Sequence, residues 1–92
     1  MRFLAVITPT QCKAARALLD WSQQDLADIA GVGVVTVRQL ESGTHEPRRA
    51  TLKVVRRAFE DAGVEFIDEN GGGPGVRLRK RQQPKASKRA LE

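Results

Sequence analysis

Ninety-two residues, 40% of them apolar, suffice for one small domain with a modest core, and no apolar run reaches the ~20 residues that a membrane-crossing helix needs. Cys12 is the only cysteine, which excludes an internal disulfide, and one cysteine with one histidine, His45, falls short of a zinc site. The net charge of +5 belongs to the end of the chain: from Arg77 onward seven basic residues face Glu92 alone, leaving the first 76 residues within one charge of neutral.

The opening MRFLAVI is apolar but too short for a secretory signal, and no small-residue cleavage site follows it, so a cytoplasmic protein is expected. Residues 1–7 read as an extended arm or a strand. Thr8-Pro9-Thr10-Gln11 is a helix start: Thr8 caps, Pro9 sits where a missing N–H costs nothing, and Gln11 reaches back to close a capping box. The helix is predicted from Pro9 to about Leu19, with Cys12, Ala15 and Leu19 on one face. After a break at Asp20-Trp21, Ser22 caps a second helix with Asp25 at its third position. Its apolar residues are Leu26, Ile29 and Ala30, and Gly31 supplies a left-handed end.

Gly33 opens a third helix, which runs through Val37 and Leu40 to about Ser42 and stops at Gly43. Pro47 is expected to begin a fourth, whose apolar positions Leu52, Val55, Ala58, Phe59 and Ala62 keep helical spacing until Gly63. Period two then takes over. Val64-Glu65-Phe66-Ile67 and Val76-Arg77-Leu78-Arg79 alternate around DENGGGPG, which predicts a β-hairpin with a wide glycine loop. The fold class expected is therefore mainly α: a four-helix domain over 8–63, a hairpin over 64–79, and a basic, disordered tail over 80–92. That tail is either a solvated end or a loose arm for nucleic-acid phosphates.

Two helices joined through Gly31, the second carrying Val37 and Leu40 inward, form the minimal helix-turn-helix. Ala27 must be small where the second and third helices cross, and Gly31 must take a backbone angle other residues resist. The run from Arg16 to Val64, with WSQQDLADIAGV, TVRQLESG, Pro47 and the amphipathic helix ending AGV, resembles the Cro/phage-repressor (XRE) helix-turn-helix regulators. The resemblance implies a transcriptional repressor whose third helix lies in the major groove of a double-stranded DNA operator. By position, Val34, Val35, Thr36, Arg38 and Gln39 would then read bases. Gln23, helped by the positive end of its helix, would hold a phosphate, as would Thr44, Arg48 and Arg49. Arg16 corresponds to the family's first-helix arginine and Glu41 to its glutamate, a structural pair tying the first helix to the third.

The leading end of the third helix departs from that pattern. Gly33 stands where the family often has a capping Ser or Thr, and Val34 where a glutamine or arginine commonly reads a base. Val35 shares the outward side with Arg38, Gln39 and Ser42, with Thr36 flanking. In one reading the valines pack on thymine methyl groups while Arg38 or Gln39 makes hydrogen bonds to guanine or adenine. In the other, the Val34/Val35 tip binds a protein partner, as in an antiactivator or antitoxin. Segregation of charge favours DNA: Arg38, Arg48, Arg49, Lys53, Arg56 and Arg57 cluster by the docking surface, while Asp25, Asp28 and the acids from Glu60 to Glu69 sit elsewhere.

The other features are blander. NGGGPG lacks the Lys-Ser/Thr of a phosphate loop and precedes a strand. Trp21 fits a core or lid residue better than a base-stacking one, Cys12 a buried inert thiol, and His45 a loop near phosphate or solvent. Nothing assembles a nucleophile with its base, so no enzyme and no cofactor are expected. Val64, Phe66, Val76 and Leu78 share one hairpin face and need cover, either from the chain's own helices or from a twin in a homodimer, which would place two reading helices about one DNA turn apart.

Overall fold

The computed structural model describes residues 7–45, 47–69 and 71–79. The expectations of an arm or strand over 1–7 and of a disordered basic tail over 80–92 lie outside the described residues, except for Ile7, which is buried in the core. Four helices, α1 (Pro9–Leu19), α2 (Gln23–Ala30), α3 (Val34–Ser42) and α4 (Arg49–Asp61), precede a hairpin of β1 (Val64–Ile67) and β2 (Gly75–Leu78). The mainly helical fold with an appended hairpin is as the sequence predicts.

Local signals set most boundaries. Thr8 and Ser22 each form a full capping box, with Gln11 and Asp25 as the third-position partners. Such a cap typically contributes about 1 kcal/mol. Asp20, Gly31 and Gly43 end the first three helices in the left-handed region, with φ of 59°, 75° and 74°. Gly33 begins α3 without a side-chain cap.

α4 starts two residues later than Pro47 suggests. Arg48 is extended (φ −63°, ψ 149°), and its carbonyl accepts from the N–H groups of Thr51 and Leu52 at 2.9 and 3.1 Å. Arg48 is thus the cap, Pro47 precedes the helix, and the last helical residue is Asp61 rather than Ala62. A second correction concerns Ile29, which is 54% exposed. The inward arc of α2 is set by Leu26, Ala27 and Ala30, and at about 100° per residue Ile29 falls outside it.

Phe59, Ile7, Leu26, Val37, Val55, Val64 and Cys12 are the largest fully buried side chains, so every helix and β1 feed one core. Trp21 covers its edge, stacked on Phe59 with ring centroids 5.6 Å apart, as a lid residue would be. The strands pair antiparallel with Val64 opposite Leu78 and Phe66 opposite Val76, which gathers the four on one face. α1 and α4 of the same chain cover that face: Val64 and Phe66 are buried, Val76 and Leu78 half-buried. Gln11 locks the arrangement. It is 4% exposed, closes the α1 capping box through Oε1, and donates Nε2 to the carbonyls of Gly75 at 3.0 Å and Ile67 at 3.4 Å.

Candidate nucleic-acid interface

The two sides of α3 have separate tasks. Inward, Val37 and Leu40 are buried in the core and Glu41 is 5% exposed. Outward, Val35 is 56% exposed, and Arg38 and Ser42 lie open beside it, with Thr36 and Gln39 half-buried on the flanks. Val34 differs from its neighbour: it is half-buried and packs against the core. The sequence places both valines at the reading tip, and Val35 is the more open of the two.

Orientation of α3 rests on a carboxylate. Glu41 accepts from Arg16 twice, Nε to Oε2 at 2.7 Å and Nη2 to Oε1 at 2.8 Å, a bidentate geometry that fixes one helix against the other. Arg16 also donates Nη1 to the Trp21 carbonyl at 2.9 Å, which ties the α1–α2 break into the same cluster. Two further donors were not foreseen from the sequence. The Cys12 thiol donates to Oε2 at 3.1 Å and Gln23 Nε2 to Oε1 at 3.0 Å. Burial pushes the Glu41 carboxyl up, but the hydrogen bonds from Arg16, Gln23 and Cys12 outweigh it and hold the group below its ordinary 4.5. Burial, then the hydrogen bond and charge of Glu41, drive the Cys12 thiol far above its ordinary 9.0, so it stays protonated and unreactive.

Gln23 therefore stands at the first turn of α2 with its amide turned to Glu41, while the backbone N–H groups of that turn begin a helix whose dipole favours an anion. At the other end of α3, Ser42 and Thr44 hydroxyls lie 2.8 Å apart in a hydrogen bond, both exposed. Arg48 and Arg49 follow at the start of α4, exposed and next to the positive end of that helix. The structure thus arranges Gln23 on one flank of α3 and Thr44, Arg48 and Arg49 beyond its far end.

Charge pairing divides the basic residues more sharply than the sequence does. Arg56 pairs with Glu60 at 3.0 Å and lies over the Phe66 ring, 4.8 Å from its centroid. Arg57 pairs with Asp61 at 3.3 Å and Arg77 with Glu65 at 3.0 Å. Arg56 and Arg57 thus each lie beside an acid of their own helix, and Arg57 stays largely exposed. Arg38, Arg48, Arg49 and Lys53 form no ion pair among the described residues. Such cations retain their full charge for an external anion.

A family model described as helix-turn-helix matches residues 13–60, just over half of the chain, from within α1 to the last turn of α4. No curated protein matches the chain.

Proposed function

Because this chain belongs to the XRE family of DNA-binding helix-turn-helix regulators, we propose that it recognises a specific operator in double-stranded DNA and represses transcription from it. α3 enters the major groove. Val35, Thr36, Arg38 and Gln39 then face base edges, with Val34 at the margin, while Gln23, Thr44, Arg48 and Arg49 hold phosphates on either side. Repression is the mode that occupancy alone accomplishes, since a protein seated on a promoter excludes other proteins from it. The site of action is where the DNA lies, in the cytoplasm on the nucleoid. The observation carrying this reading is the placement of cations: among the described residues Arg38, Arg48, Arg49 and Lys53, on α3 and at the start of α4, form no ion pair (nor do Lys13 and Arg79 elsewhere), while Arg16, Arg56, Arg57 and Arg77 are bound to acids.

A homodimer follows from the DNA. Two half-sites about one helical turn apart multiply the affinity of a single small reading head. Half-site geometry, not the hairpin, favours the pair, because the hairpin face has its cover from α1 and α4 of the same chain. Sedimentation with an operator duplex should show two chains per duplex; one chain on a single half-site contradicts the dimer.

Binding to an operator fragment at several salt concentrations should fall log-linearly, with a slope of roughly 0.9 per phosphate contacted. Arg48→Ala and Arg49→Ala should each lower that slope by about one contact and weaken all sequences alike. A slope near zero opposes DNA as the partner. The rival reading, a protein docked on the tip, draws on the exposure of Val35 and Ile29. A protein partner that binds the chain and leaves DNA binding undisturbed contradicts a shared tip.

A further inference from the structure

Of the three valines in the run Val34-Val35-Thr36-Val37, Val37 is fully buried and Val34 is half-buried against the core, so Val35 is the exposed one. Its neighbours on that face are Arg38 and Ser42, exposed, and Gln39, half-buried. The only carboxylate of α3, Glu41, is turned inward to Arg16. The face offered to a groove thus combines one cation, one amide, the hydroxyls of Ser42 and of the flanking Thr36, and one exposed apolar side chain, Val35.

Resting on the DNA reading above, we infer that Val35 is a specificity residue that reads the 5-methyl group of a pyrimidine. The major-groove edges of base pairs present hydrogen-bond donors and acceptors, which an apolar side chain only desolvates. The C5 methyl is the one apolar mark there. A β-branched side chain has little rotameric freedom to lose on docking, so the contact is shape-selective. Arg38 and Gln39 lie three and four positions on, with side-chain origins about 5–6 Å from that of Val35. That spacing is roughly one to two base-pair steps, so the methyl lies within two base pairs of the base that Arg38 or Gln39 addresses. Two bases carry the group: thymine, and cytosine once it is methylated at C5. Both offer the same methyl but differ at the neighbouring exocyclic atom.

The test begins by selecting tight duplexes from a random library with the full chain. Each thymine of the selected half-site is then replaced in turn by deoxyuridine, which removes the methyl and nothing else. One position should cost about fourfold in affinity with the wild-type protein, the effect of one buried methyl. The same exchange should cost nothing with Val35→Ala, whose exposed position leaves folding intact, as a thermal melt will verify. At that position 5-methylcytosine·guanine should bind better than cytosine·guanine by a similar factor, again only with the wild type. This arm separates the methyl from the thymine carbonyl beside it. If deoxyuridine is neutral at every position, or costs Val35→Ala as much as wild type, the inference fails while DNA reading stands. If the library yields no enriched sequence, the DNA reading fails and the inference goes with it.

Discussion

The inner and outer sides of α3 are built by opposite rules. On the inner side every polar atom is satisfied: Glu41 takes donors from Arg16, Cys12 and Gln23, and no buried side-chain nitrogen or oxygen among the described residues lacks a partner. On the outer side Val35 and Arg38 are exposed, and Arg38 forms no ion pair among the described residues. A side chain that adds little to folding is free to be chosen for what it touches outside. The inner side fixes where the helix points, and under the proposed function the outer side sets what it recognises.

The largest effects should come from breaking the inner side. Glu41→Ala leaves Arg16 without its carboxylate and removes the acceptor of Cys12 and Gln23, which should destabilise the fold by about 3 kcal/mol in urea unfolding. A loss no larger than that of an exposed surface pair would contradict the tether. The same carboxylate makes stability pH-dependent. Its folded pKa lies below its ordinary 4.5, so the stabilisation is fully present above that ordinary value and is lost as pH falls through the lowered folded one. Glu41→Gln, which cannot titrate, should flatten this acid limb of a stability–pH curve. An unchanged limb assigns the effect to other acids.

Next in size is Gln11→Ala, which opens the α1 capping box and frees the carbonyls of Gly75 and Ile67. A loss of about 2 kcal/mol is expected, with faster amide exchange in β2 than in α3. Uniform exchange across the chain would mean that Gln11 does not anchor the hairpin. Smallest is Gly33→Ser. A Cβ there meets nothing closer than Thr36 Oγ1 at 3.9 Å, and the backbone is already extended, so the new hydroxyl can cap α3. Stability should rise by a few tenths of a kcal/mol; a fall would show that the helix start is constrained in some other way.

The sequence is most informative where structure is local. Thr8 with Gln11, Ser22 with Asp25, and the end residues Gly31 and Gly43 act within one turn of chain, and they place the first three helices. Pro47 misleads because proline fits the residue before the cap as well as the first helical position. Ile29 misleads because an apolar residue can lie just outside the buried arc of a short helix. The contacts that shape the candidate site span long separations. Gln11 reaches carbonyls 56 and 64 residues away, and Cys12 meets Glu41 across 29. No local pattern marks such partners. Nor does composition separate the arginines that pair with acids from those that form no ion pair among the described residues, since that division depends on which acids the fold carries alongside.

Under the proposed function, the exposed leading face of α3 binds DNA without serving the fold. Val35→Glu tests it most directly, with urea unfolding and operator affinity measured on the same preparation. An unfolding midpoint matching that of the wild type, together with loss of specific binding, is the result expected. A variant that unfolds early, or one that holds the operator as tightly as before, would contradict it.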